Sequence, residues 1–98
     1  MLKIVKIDKL VENTIFISFS NGEKKKFTIA LENAEPNLKK YYQSILDELN
    51  FQRVKLGRFG QLYWENCGEI IDEKGNLIKC EFDFSPEYIY YNSEKVID

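Results

Sequence analysis

The chain of 98 residues contains no histidine. That absence removes the commonest general base, the serine–histidine–aspartate and cysteine–histidine arrangements of covalent catalysis, and a usual zinc ligand. Only two cysteines are present, Cys67 and Cys80, and without histidine they do not complete a tetrahedral metal site. No apolar run approaches the roughly 18 residues that cross a bilayer. Residues 1–9 interrupt every apolar pair with a charge, which leaves no signal-peptide core. A soluble, cytoplasmic protein with reduced thiols is therefore expected, with no membrane association. Glycine is scarce, at five residues, and Gly57 and Gly60 bracket too short a loop for a phosphate cradle. Residues 72–76 place acids near Gly75 but lack the alternating ligands of a calcium loop. No cofactor, no metal and no catalytic constellation is expected, and the chain does not read as an enzyme.

What is present is the composition of a folded domain. Apolar residues make up 44% and charged residues 31%, which points to a single globular domain over 1–98 rather than a disordered chain. The net charge of −2 conceals an asymmetry. Residues 1–58 carry eleven Lys/Arg against seven Asp/Glu, whereas 59–98 carry three against nine. Opposed faces of that kind would give the molecule a dipole able to steer a charged partner.

Period-two alternation marks the strands. Ile15, Ile17 and Phe19 alternate with polar neighbours, and Phe27 and Ile29 resume the pattern beyond the Asn-Gly pair at 21–22. A two-residue loop would pair Phe16 with Phe27 and set the apolar residues on opposite faces. A three-residue loop, Ser20 to Gly22 with Gly22 left-handed, pairs Ile15 with Phe27 and keeps them together, so burial favours the bulged turn. Residues 2–11 read as a first strand. Leu38, Tyr41, Tyr42, Ile45, Leu46 and Leu49 form a helical apolar stripe, so a helix is expected over about 36–49, with Pro36 in its first turn, Asn33 as its cap and Asn50 at its stop. Lys39 and Lys40 at its start and Asp47 and Glu48 near its end oppose the macrodipole. Strand patterns return at Val54 and Leu56, at Leu62 and Trp64, and at Ile78, Cys80, Phe82 and Phe84. Ser85, Pro86 and Glu87 signal a short helical turn near 86–91. The expected fold is α+β, a curved antiparallel sheet packed on one main helix.

Three sets of side chains are candidates for function. Tyr63, Trp64, Tyr88, Tyr90 and Tyr91 could anchor a partner protein, since Trp and Tyr dominate interface hot spots; Trp64 also reads as core, and adjacent Tyr90 and Tyr91 cannot both point inward. Lys24, Lys25, Lys26, Arg53, Lys55 and Arg58 could contact RNA or single-stranded DNA, with Phe51 and Phe59 nearby. A pI near 5.2 argues against that reading, and lysines on an edge strand also serve to discourage aggregation. Glu65, Glu69, Glu81 and Asp83 could act as a carboxylate pair, the one route to an enzyme left open.

At Leu62, Tyr63 and Trp64, and again over 83–90, the chain resembles family 2442 of the small bacterial domains of unknown function. The Phe-Ser-Asn-Gly-Glu stretch at 19–23 matches that family's early hairpin, a central helix follows, and the close is of the acidic-apolar-x-Pro-x-x-Leu-Tyr type. The resemblance covers nearly the whole chain and departs from it at residues 67–81, which read as an inserted hairpin. It implies no established activity. Related domains occur fused to a helix-turn-helix regulator, or encoded beside a second small protein in pairs resembling toxin–antitoxin modules. With no DNA-binding domain in this chain, the resemblance implies a protein-interaction module whose partner is another small protein.

Overall fold

A computed structural model of the chain describes residues 1–97. Its first hairpin follows the burial argument. Strands β2 (Thr14–Phe19) and β3 (Lys24–Thr28) pair antiparallel with Ile15 opposite Phe27. The Phe19 N–H donates to the Glu23 carbonyl at 2.8 Å and Gly22 takes φ +89°, so the three-residue bulged loop is the one formed. β1 (Ile4–Val11) lies along β2 with two register shifts. The shifts place Ile4, Ile7 and Leu10 on the covered side at intervals of three, which is why the alternation of this strand looks poor in the sequence. β7 (Glu94–Lys95) adds to the far edge of β3 and completes the order β1-β2-β3-β7.

The remaining strands form a second antiparallel sheet rather than extending the first. β4 (Lys55–Leu56), β5 (Leu62–Ile71) and β6 (Leu77–Phe84) lie in that order. The α+β expectation holds, but the single curved sheet divides into two. One apolar core serves both. Ile15, Ile17, Phe19 and Phe27 come from the first sheet, Leu62, Trp64 and Phe84 from the second, with Tyr42, Ile45, Phe51 and Ile89 from helical segments. Burial of this aromatic-rich set is the main driving force of folding.

The main helix differs from its expectation at both ends. Residues Leu31–Asn33 and Pro36–Leu38 are 3₁₀ turns, so Asn33 caps nothing, and α1 runs only from Lys39 to Leu46. The chain then leaves helical geometry at Asp47 (φ −56°, ψ 131°) and re-enters it as α2 (Glu48–Phe51). The Asp47 carboxylate accepts from the N–H groups of Leu49 and Asn50. Asp47 and Glu48 are thus not misplaced acids at a C-terminus; they stand at the start of a new helical turn, where negative charge is favoured. Asn50 lies inside that turn, and Leu49, in phase with the stripe, is exposed.

β5 and β6 make the longest hairpin. Residues 67–81 form its middle and outer part. Four steps along β5 from Trp64 to Gly68 are matched by two along β6 from Phe82 to Cys80, an irregularity that includes Asn66 at φ +62°. Beyond it the hairpin projects from the core as an arm, closed by Asp72, whose carboxylate accepts from the backbone N–H groups of Lys74 and Asn76. Ile70, Ile71, Leu77 and Ile78 are all exposed there. α3 (Pro86–Tyr91) then returns the chain to the first sheet.

Candidate functional site

The start of α3 fixes the most accessible aromatic of the core's margin. The Ser85 hydroxyl accepts the Tyr88 N–H at 3.1 Å, and Pro86 occupies the first helical position. Tyr88 is thereby laid against Phe84, with ring centroids 5.7 Å apart and planes at 18°, and meets the Phe27 ring edge-on at 6.2 Å. It remains 42% exposed, so the ring is held firmly while offering one face. Beside it lies Tyr42, almost fully buried. Burial pushes the Tyr42 hydroxyl above the ordinary phenol range, and the neighbouring Tyr88 and Glu35 act in the same direction.

Two cavities share this pair of tyrosines. One, of about 450 Å³, is lined by Glu35, Tyr42, Phe82, Asp83, Phe84 and Tyr88 among others. The other, of about 360 Å³, opens between the same two tyrosines and Phe27, Ile29 and Asn92. Neither Glu35 nor Asp83 has an ion-pair partner among the described residues. Aromatic walls beside two unpaired carboxylates suit a cation on an apolar stem, the chemistry of a lysine or arginine side chain.

The other aromatic candidates separate. Trp64 is 1% exposed, and its indole N–H donates to the Phe51 carbonyl at 3.3 Å. It is core and cannot touch a partner, because it fills the space between the second sheet and α2. Tyr90 is half-buried, edge-on to Phe19, with its hydroxyl donating to Glu23 at 2.7 Å. That bond also raises its pKa, and the ring serves to hold α3 to the first hairpin. Tyr91, by contrast, is 79% exposed, and Tyr63 is partly exposed on β5 opposite Asp83. The structure therefore leaves Tyr63, Tyr88 and Tyr91 accessible, with Tyr88 alone on the cavities.

The basic set does not form one surface. Lys25 is 8% exposed; its ammonium stands 4.0 Å from the Tyr90 ring centroid and donates to the Tyr90 carbonyl. It is withdrawn as a nucleic-acid contact because it shares the inward phase of Phe27. Lys26 lies 3.8 Å from Glu94, and Lys55 lies 2.9 Å from Glu65, a contact that raises the Lys55 pKa. Arg58 covers Phe59, and Lys24 and Arg53 are exposed. On the outer face of the first sheet, register places Phe16 between Lys9 and Lys26, with the Lys9 ammonium 4.6 Å from the Phe16 ring centroid. The sequence reading missed Lys9 because the register shifts of β1 obscure which residues face outward.

The carboxylates are distributed, not paired with one another. Glu65 is held by Lys55, and Glu69 by Lys40 at 3.0 Å and Lys79 at 3.3 Å. The hydrogen bonds and charges of those two lysines keep the Glu69 carboxyl below the ordinary range. Among the described residues no group of three or more Cys, Asp or Glu side chains could hold a metal ion, and no helix is long and apolar enough to cross a membrane. No protein family, no curated protein and no solved structure matches the chain.

Proposed function

We propose that the chain is a small cytoplasmic protein-interaction module, the neutralising half of a two-gene pair of the toxin–antitoxin kind, and that it receives a basic side chain of its partner beside Tyr88. The resemblance to family 2442 belongs to the same proposal. The observation that carries it is the Tyr88 cavity, where a firmly stacked, half-open aromatic stands with Glu35 and Asp83 unpaired. Tyrosine anchors cost little side-chain entropy to immobilise, and an arginine or lysine inserted there would exchange water for aromatic faces and carboxylates. The test is co-purification of the tagged chain from its native host, repeated with Tyr88→Ala and with Glu35→Lys. A stoichiometric partner retained by the parent chain and lost by both variants, with folding unchanged by circular dichroism, is the expected result. A partner that binds all three equally, or no partner at all, sinks the reading.

A second reading, weak binding of RNA or single-stranded DNA, is favoured by the Lys9–Phe16–Lys26 row, which offers a stacking ring between two cations. It requires salt-dependent affinity for a fluorescent single-stranded oligonucleotide. No anisotropy change at about 50 mM salt dismisses it.

A further inference from the structure

A strand edge is a template for pairing, and natural sheets blunt their edges by shortness, bulges or cover. Three of the four edges here are blunted in that way. β1 carries two register shifts, and β4 and β7 are two residues long. The fourth, β6, is an eight-residue strand with no proline and, among the described residues, no neighbouring strand beyond β5; its one irregularity lies on the β5 side, between Phe82 and Cys80. The Asp72 N–H donates to the Asn76 carbonyl, which fixes 72 and 76 as a bonded pair at the hairpin's end. Alternation from there turns the backbone groups of Ile78 and Cys80 toward β5 and leaves those of Leu77 and Lys79 on the open edge, while the Glu81 carbonyl, beside the irregularity, lies against Gly68.

We infer that β6 is the interface of a two-fold dimer, the occupant of its open edge being β6 of a second copy of this chain. A two-fold axis makes an antiparallel pair self-complementary, so the side chains themselves select the register. An axis at Lys79 or at Glu81 sets like charges opposite each other, and an axis at Phe82 opposes Glu81 to Asp83 of the second copy. An axis at Cys80 places Lys79 opposite Glu81 of the second copy, twice by symmetry, and Ile78 opposite its Phe82. Glu81 is exposed and has no ion-pair partner among the described residues, while Lys79 already leans on Glu69 at 3.3 Å. In the dimer each Lys79 therefore bridges an acid of its own strand pair and one of the other copy. The two sheets join as β5-β6-β6-β5, and the exposed Ile78 gains the partly buried Phe82 of the second copy as a cross-strand neighbour. The backbone phase also makes Cys80 a non-hydrogen-bonded pair with its own image, at a Cα separation of about 4.5 Å, within the range a disulfide spans.

This inference stands apart from the Tyr88 cavity, since it rests on a strand edge and not on a partner's cation. The experiment is sedimentation equilibrium across micromolar to millimolar concentration, on the full chain and three charge variants. Lys79→Glu and Glu81→Lys each weaken dimerisation about tenfold, and the double exchange Lys79→Glu with Glu81→Lys restores it, because the opposed pair is rebuilt with its signs reversed. In parallel, diamide is added to the reduced protein. Two Cys80 thiols each give up a proton and an electron, the sulfurs bond, and diamide is reduced to its hydrazine. A covalent dimer is expected from the parent chain and from Cys67→Ser but not from Cys80→Ser. A monomer at every concentration overturns the inference. So does a dimer that the single charge changes leave intact and that forms no Cys80 link, since its interface lies elsewhere. Both charged positions are solvent-exposed, and far-ultraviolet circular dichroism confirms that each variant is folded.

Discussion

Gly22 and Gly60 adopt the same left-handed backbone, at φ +89° and +79°, but their surroundings differ. A Cβ on Gly22 would meet nothing within 4 Å, whereas one on Gly60 would come within 2.8 Å of the Lys3 Cα. Gly60 is also where the two sheets touch, its carbonyl accepting the Ile4 N–H at 3.2 Å. Gly22→Ala is therefore expected to cost only the backbone strain, about 1 kcal/mol. Gly60→Ala adds a clash with backbone that cannot rotate away and should cost about 3 kcal/mol, read as the difference in urea midpoints. The first glycine was legible in the sequence, because Asn-Gly between alternating runs demands it. The second was not, because its reason is a neighbour 57 positions distant in the chain. Lys25 shows the reverse case, a residue whose placement is legible in the alternation alone. It lies two positions before Phe27 and shares its inward phase, so the run of three lysines was never a uniform solvated face.

At the scale of elements, the apolar stripe from Leu38 to Leu49 continues in phase across a real break in the helix. Periodicity reports which side is covered and is blind to a single residue that leaves helical geometry. The local signal was present at Asp47, an N-cap residue followed by an acid in the next position. The two readings make opposite predictions. Were Asp47 a misplaced charge at a helix end, Asp47→Ala would stabilise the chain; as the cap of α2 it should destabilise by about 1 kcal/mol, measured by thermal or urea unfolding. The arm and α1 are joined in turn by Glu69, held between Lys40 and Lys79. Its folded pKa lies below the ordinary 4.5, so its contribution to stability is complete above that value and is lost as pH falls through the folded one. Glu69→Gln should therefore lower stability at pH 7, and the difference between the two urea midpoints should narrow as pH falls through the folded pKa of Glu69. An unaltered acid dependence would show that the two lysines merely lie close to Glu69.

At the scale of the molecule, the sequence carried the class and the first hairpin but not the division into two sheets. Pairings such as β3 with β7 join residues some 70 positions apart and leave no periodic trace. They also dissolve the charge asymmetry, because Glu94 of the acidic end lies beside Lys26 of the basic one. What the division exposes is an arm that the core does not use. No residue from Glu69 to Lys79 belongs to the hydrophobic cluster, and the molecule's longest extent is 50 Å against 27 and 23 Å. Apart from the Glu69 ion pairs, residues outside a core contribute little to its stability, so replacing 69–79 by a two-residue Asn-Gly turn should lower the urea midpoint at low protein concentration no further than Glu69→Gln does. The concentration dependence should change instead. A chain that dimerises only when folded gains stability by mass action, so the melting temperature of the intact chain should rise as its concentration is raised. The shortened chain loses Lys79 and half of the open edge, and its melting temperature should not move. If shortening the arm unfolds the protein even when dilute, the arm is part of the fold rather than an appendage to it. If both chains melt independently of concentration, the arm has no second copy to meet.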